Sequence, residues 1–148
     1  MRVLVLEDRD EIMEMFTDFL EDCDHEVSPC FDIYEADERL GEQKQGFDCY
    51  LIDLAMSSDG LGDEYIADTR RGYFTGWVWL RSRILDKDPN LARRCILLSG
   101  FKDSFEENYL RTDEKSRTLL FEALLLSKND SKWREELGKR LKTIEERA

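Results

Sequence analysis

Four short apolar runs in this chain each end on an acid, a hydroxyl or an amine, and that recurrence leaves few architectures open. Val3-Leu4-Val5-Leu6 runs into Glu7-Asp8, and Cys49-Tyr50-Leu51-Ile52 runs into Asp53. Cys95-Ile96-Leu97-Leu98 meets Ser99, and Ala123-Leu124-Leu125-Leu126 meets Ser127-Lys128. Unbroken runs of Val, Ile and Leu suit strands buried on both faces, which is the signature of a parallel sheet. If the four are parallel neighbours, their carboxyl ends share one edge, and three acids, a hydroxyl and an amine gather in one crevice.

The intervening segments read as helices. Ile12, Met13, Phe16, Phe19 and Leu20 fall on one face of a helix over 8–22, with Asp8 placed to cap it and Glu11 in capping-box register. An edge strand is expected at about Glu26–Cys30, demoted to the rim by Pro29. A short helix follows, with Ile33, Ala36 and Leu40 on one side. Residues 54–75 show no period and hold Gly60, Gly62 and Gly72, so they read as a long inserted loop. A helix is expected over 76–86, with Trp77, Leu80 and Ile84 aligned and Trp77 and Trp79 as packing residues. The stretch 103–122 is ambiguous. A last helix over 130–146 aligns Trp133, Leu137, Leu141 and Ile144. Strands alternating with helices imply an α/β fold with right-handed crossovers, and the length of 148 residues suits one domain over 1–148.

Charge narrows the function classes. The net charge of −12 resides wholly in residues 1–50, which hold 16 acids and 4 bases. Such a chain lacks the basic face that a nucleic-acid backbone demands. No apolar stretch approaches the roughly 20 residues of a membrane span. The four cysteines show no CxxC spacing and no secretory signal precedes them, so a reduced, cytoplasmic protein is expected. His25, the lone histidine, reads as a turn residue.

Glu7, Asp8 and Asp53 brought together would repel one another and raise at least one pKa. A divalent cation relieves this, and Mg2+ suits a few carboxylates, several waters and phosphate oxygens. Lys128 adds a mobile positive charge. Asp53, alone at its strand end, is the natural carboxylate nucleophile for an aspartyl phosphate, the Glu7-Asp8 pair is the natural metal cup, and Ser99 is placed to donate to the incoming group. Each residue also has a plainer reading: Asp8 as a cap, Asp53 as a strand-end acid, Ser99-Gly100 as a turn. The conjunction at four strand ends favours the chemical one.

On these motifs, LVLEDRDE, CYLIDLAM, CILLSGF and LLLSKND, the chain resembles the receiver domains of two-component response regulators along essentially its whole length. The resemblance implies a doubly wound five-stranded parallel sheet in order 2-1-3-4-5, with helices on both faces (flavodoxin-like). It also implies Mg2+-dependent phosphoryl transfer onto Asp53 from a histidine kinase or phosphotransfer protein, and signalling to a downstream protein by contact. The site it implies is Asp53, Lys128 and Ser99 for the reaction, and Glu7, Asp8, Asp53 and the Ala55 carbonyl for the metal. The chain would be a signalling receiver rather than an enzyme acting on other substrates.

Departures from the family pattern are equally definite. Ser57 stands where Pro is usual, and Gly76 takes the place of the glycine before the third helix after an insertion of about fifteen residues. Asn129 replaces the proline of a cis bond after the lysine, which puts cis geometry there in doubt. Leu125 replaces an aromatic ring. Asp59, Asp63, Arg70 and Arg71 of the insertion are candidates for a lid over the site. Since no residues follow the last helix, a stand-alone phosphoacceptor is expected. The alternative is a degenerate receiver that binds partners without phosphorylation. A phosphatase on a related architecture is disfavoured, because Ala55 occupies the place of its second acid.

Overall fold

A computed structural model of the chain describes residues 1–100, 105–107 and 113–147. Five strands form one sheet: β1 (Arg2–Leu6), β2 (Glu26–Cys30), β3 (Cys49–Asp53), β4 (Cys95–Ser99) and β5 (Leu124–Ser127). All neighbours are parallel and the order is β2-β1-β3-β4-β5. The expected topology is the observed one. Pro29 lies on an edge strand opposite Val5, where a missing N–H costs the ladder nothing.

The two faces of the sheet alternate residue by residue. Val3, Val5, Cys49, Leu51, Ile96 and Leu98 face one core, closed by α1 (Asp10–Asp22) and α5 (Trp133–Glu146). Leu4, Leu6, Tyr50, Ile52 and Leu97 face the other, closed by α2 (Ile33–Glu42) and α3 (Thr75–Leu80). Met13, Phe16 and Leu20 of α1 are buried, each contributing roughly 1.5–3 kcal/mol of apolar burial. Trp133 packs its ring 4.6 Å from Phe16, and Leu137, Leu141 and Ile144 continue that stripe. Trp77 and Trp79 are both wholly buried, as expected of packing residues.

Several boundaries differ from the sequence reading. Helix α1 begins at Asp10 with Arg9 as its cap residue and no side-chain cap, so neither Asp8 nor the Glu11 capping box is used. Instead Glu7 Oε1 accepts from the Arg9 N–H at 3.2 Å. Helix α5 starts at Trp133 rather than Asp130, because the Asp130 carboxylate accepts from Lys132 N at 2.9 Å and makes a turn of the preceding residues. Helix α3 widens after Leu80 into a π turn, Arg81–Leu85. Helix α4 (Glu114–Glu122) falls inside the ambiguous stretch, capped by Asp113, and the rest of that stretch lies outside the described residues apart from 105–107.

The insertion after β3 is packed rather than loose. It contains a 3-10 helix, Asp63–Thr69, and buries Leu54, Met56, Leu61, Thr69 and Phe74. Arg83 fastens it from below. Its Nη2 donates to Leu61 O at 2.9 Å while its Nε meets Asp37 Oδ1 of α2 at 3.1 Å, and Trp79 Nε1 donates to the same carboxylate oxygen at 2.9 Å.

Gly76 lets α3 approach the end of β3. A Cβ there would lie 1.9 Å from the Asp53 carbonyl oxygen, whereas one at Gly41 meets nothing within 4 Å. Gly76→Ala is expected to lose about 3 kcal/mol or more in urea unfolding, the upper end of overpacking costs. Gly41→Ala, in helix α2, should be neutral or stabilising by up to about 1 kcal/mol.

Candidate functional site

Strand register decides what meets at the carboxyl edge. Leu6 lies opposite Ile52, Asp53 opposite Leu98, and Ser99 opposite Ser127. The next residue out from β1, Glu7, therefore stands beside Asp53, while Lys128, the next out from β5, reaches Asp53 across the end of β4. Lys128 is tied to β4 by its backbone, whose N–H donates to Ser99 O at 3.0 Å.

The side chains then converge. Lys128 Nζ stands 2.9 Å from Asp53 Oδ1 and 2.9 Å from Glu7 Oε2. Glu7 is fully buried, Asp53 is 2% exposed and Asp8 is exposed. Carboxylate oxygens of Glu7, Asp8 and Asp53 all lie within 4.8 Å of one another. Ser99 is buried at the end of β4 beside them. Ala55, exposed two residues past Asp53, lines with Asp8 a cavity of about 480 Å³.

Burial and close charge set the acid–base behaviour. Removal from water, then the neighbouring Asp53 charge, push the Glu7 carboxyl up to about 7 against the pull of Lys128. Burial likewise raises the Asp53 carboxyl, opposed by Lys128 and reinforced by Asp8. Burial works against the Lys128 ammonium, but the charges of Asp53 and Glu7 outweigh it and hold its pKa above the ordinary value. One ammonium thus serves two buried carboxylates.

This arrangement fits a divalent cation. Glu7 Oε2, shielded from water, has Lys128 only as an ion-pair neighbour and lacks an aligned hydrogen bond. A cluster of oxygen donors selects a hard ion such as Mg2+. Glu7, Asp8, Asp53 and the Ala55 carbonyl are the residues that would hold it.

Of the insertion's four candidates, Arg71 alone lines the cavity beside Asp8 and Ala55, together with Tyr73 and Thr69. Asp59, Asp63 and Arg70 are not among its walls. Arg70 and Arg71 adopt left-handed backbone (φ 52 and 62) and lead into Gly72 at φ 90. That turn, stapled by Met56 N donating to Gly72 O at 3.1 Å, delivers Arg71 and Tyr73 to the rim. Gly72 was the one visible sign of it in the sequence. The clip of Asp37, Trp79 and Arg83 left none, because Asp37 stands on a different helix, 42 residues before Trp79. The Lys128–Asn129 bond is trans, and no cis bond occurs among the described residues. Trans geometry there needs no further cause than the absence of proline.

No protein-family model matches the sequence, and no curated protein matches it. Solved structures do match its fold. A Francisella response regulator receiver domain is 23% identical with a TM-score of 0.65, over 99% of this chain and 97% of that one. A response regulator receiver domain protein from Clostridium thermocellum is 20% identical with a TM-score of 0.68, over 99% and 94%. Response regulator TrrA from Thermotoga maritima, in complex with Mg(2+)-BeF, is 20% identical with a TM-score of 0.62, over 97% of each chain. The chain has the flavodoxin-like fold of response-regulator receiver domains.

A metal-free pH dependence follows. A carboxyl raised from 4.5 to about 7 on folding stabilises the fold fully below pH 4.5 and loses that contribution as pH rises towards 7. The loss is on the order of 3 kcal/mol at most, since each pKa unit is worth about 1.4 kcal/mol. Glu7→Gln should therefore melt higher than wild type at pH 8 in chelator, with the gap closing towards pH 4.5. Millimolar Mg2+ at pH 8 should raise wild-type melting and leave Glu7→Gln nearly unmoved. Melting curves indifferent to both would refute the metal cup.

Proposed function

We propose that this chain is a phosphoacceptor receiver of a two-component or phosphorelay system. It takes a phosphoryl group onto Asp53 from a histidine kinase or phosphotransfer protein and signals to a downstream protein by contact. The observation that carries this reading is the contact of Lys128 Nζ with Asp53 and Glu7, both at 2.9 Å, with Asp8 completing the carboxylate cup. The fold shared with receiver domains supports it.

In this reading an Asp53 carboxylate oxygen attacks the donor phosphorus. The P–N bond of a phosphohistidine, or the P–O bond of an acyl phosphate, breaks as the new P–O bond forms. Glu7, Asp8, Asp53 and the Ala55 carbonyl would hold Mg2+, which when bound would supply charge neutralisation for the transferring group. Lys128 neutralises the nucleophile before transfer and pairs with the phosphoryl oxygens after it. Ser99 donates its hydroxyl to the same group. Catalysis is confined to the chain's own phosphorylation and dephosphorylation. The place of action is the cytoplasm, where the free thiols of Cys30, Cys49 and Cys95 stay reduced.

Incubation with acetyl phosphate and Mg2+ should add one phosphoryl mass to the intact protein, absent without Mg2+ and absent in Asp53→Ala. An equal gain in Asp53→Ala, or none in wild type, would leave the degenerate, partner-binding alternative in its place.

Arg71 puts a cation in the wall of the cavity beside Asp8. Arg71→Ala is expected to slow phosphorylation by acetyl phosphate roughly tenfold at low salt, through lost steering of an anionic donor. The difference should shrink at high ionic strength while melting temperature stays put. Stopped-flow tryptophan fluorescence or timed mass spectra measure it.

A further inference from the structure

The opposite edge of the sheet carries a second charged recess of the opposite sign. Arg93 and Arg94 close the 3-10 turn Pro89–Arg94 just before β4, Arg140 comes from the middle of α5 and Arg147 caps its carboxyl end. With Glu122, the last residue of α4, these four line a cavity of about 110 Å³. It sits at the amino end of β4, five residues from Ser99 at the other end. That is roughly 16 Å along the strand.

Three features set this recess apart from an ordinary basic surface. Among the described residues, none of the four arginines makes an ion pair, although Arg39, Arg81 and Arg83 all do. The chain carries 34 acids against 22 bases, so unpaired guanidinium groups are not forced by any shortage of carboxylates. Secondly, Arg140 is committed on one side only. Its Nη2 donates to the Glu122 carbonyl, which caps the negative end of α4, while its Nε is shielded from water and has no partner. Thirdly, burial together with the Arg147 charge presses on the Arg140 cation, and Glu122 is the one carboxylate lining the cavity.

Four guanidinium groups around a small recess, none of them in an ion pair among the described residues, call for an anion with several acceptor oxygens. Arginine forks match phosphate and carboxylate geometry, and phosphate offers more oxygens per unit of volume. The cavity is well below the roughly 300 Å³ at which drug-sized pockets begin, so it takes one tetrahedral group and not a whole nucleotide. We propose that this recess binds a phosphate-class oxyanion, with Arg94 and Arg140 as direct ligands and Arg93 and Arg147 supplying the surrounding charge. The same chemistry serves free phosphate or the terminal phosphoryl group of a nucleotide whose remainder stays in solvent.

The test is a titration of inorganic phosphate into nitrogen-15-labelled protein in chelator, at ionic strength held constant with chloride. Without metal the carboxylate cup repels the anion, so the two sites are told apart by which amides move. Saturable shifts are expected at residues 93–95 and 140–144, not at 53–56. Arg94→Ala combined with Arg147→Ala should weaken binding at least tenfold, and Arg94→Lys, which keeps charge but loses the fork, should weaken it by a smaller factor. AMP in place of phosphate separates the sources: tighter binding at the same amides assigns the site to a nucleotide's phosphoryl group, and equal or weaker binding to the free anion. Shifts that never saturate, that chloride reproduces, or that persist in the double variant would overturn the proposal. The double variant should still take up phosphate on Asp53 from acetyl phosphate, so failure here and failure of the receiver reading are separate results.

Discussion

Two carboxylates and one ammonium share a volume from which water is nearly excluded, and the rest of the molecule is arranged around the cost of that. Glu7 and Asp53 are buried, removal from water raises both carboxyls, and Lys128 bridges both at 2.9 Å. Breaking such a group by removing its cation leaves uncompensated buried charge, which is far more costly than the pair itself is worth. The arrangement persists only because four strand ends, β1, β3, β4 and β5, are locked in parallel register and cannot relax apart. Stability given up at this edge is regained in the two apolar layers beneath it.

That edge also explains the local irregularities of the chain. Helix α3 can start where it does only because residue 76 has no side chain to strike the Asp53 carbonyl. Glu7 holds the entry of α1 by accepting from Arg9 N, which leaves Asp8 exposed beside the other acids instead of spent on a cap. The insertion, packed through Leu61 and Phe74 and pinned by Arg83, carries a left-handed turn to the rim of the same site. Each device adjusts the approach to Asp53 while leaving the charged group itself intact.

Much of this was legible in advance, for identifiable reasons. Apolar runs such as Val3–Leu6 and Cys95–Leu98 announce strands because a parallel strand is buried on both faces and tolerates no polar residue within it. Helical stripes in α1 and α5 were equally plain, since Phe16, Leu20, Trp133 and Leu137 recur at the period of a helix. Boundaries were harder. Asp8 looks like a cap in the sequence and is not one, because the helix starts two residues later at Asp10 and Glu7 accepts from the Arg9 N–H at its entry. The packing of residues 54–75 was hidden, since Leu61, Thr69 and Phe74 follow no single period.

The amino-acid order by itself determined the fold class and which residues would stand at the carboxyl edge, while the strand order came from the resemblance of its motifs to receiver domains. These follow from patterns a few residues long, read against the fixed geometry of strands and helices. Only the tertiary structure decided that Lys128 reaches Glu7 as well as Asp53, that Arg71 and no other insertion charge faces Asp8, and that four arginines enclose a recess at the far edge. Those outcomes depend on side chains from separate elements meeting within a few ångströms, and no local pattern encodes a distance between segments that are far apart along the chain.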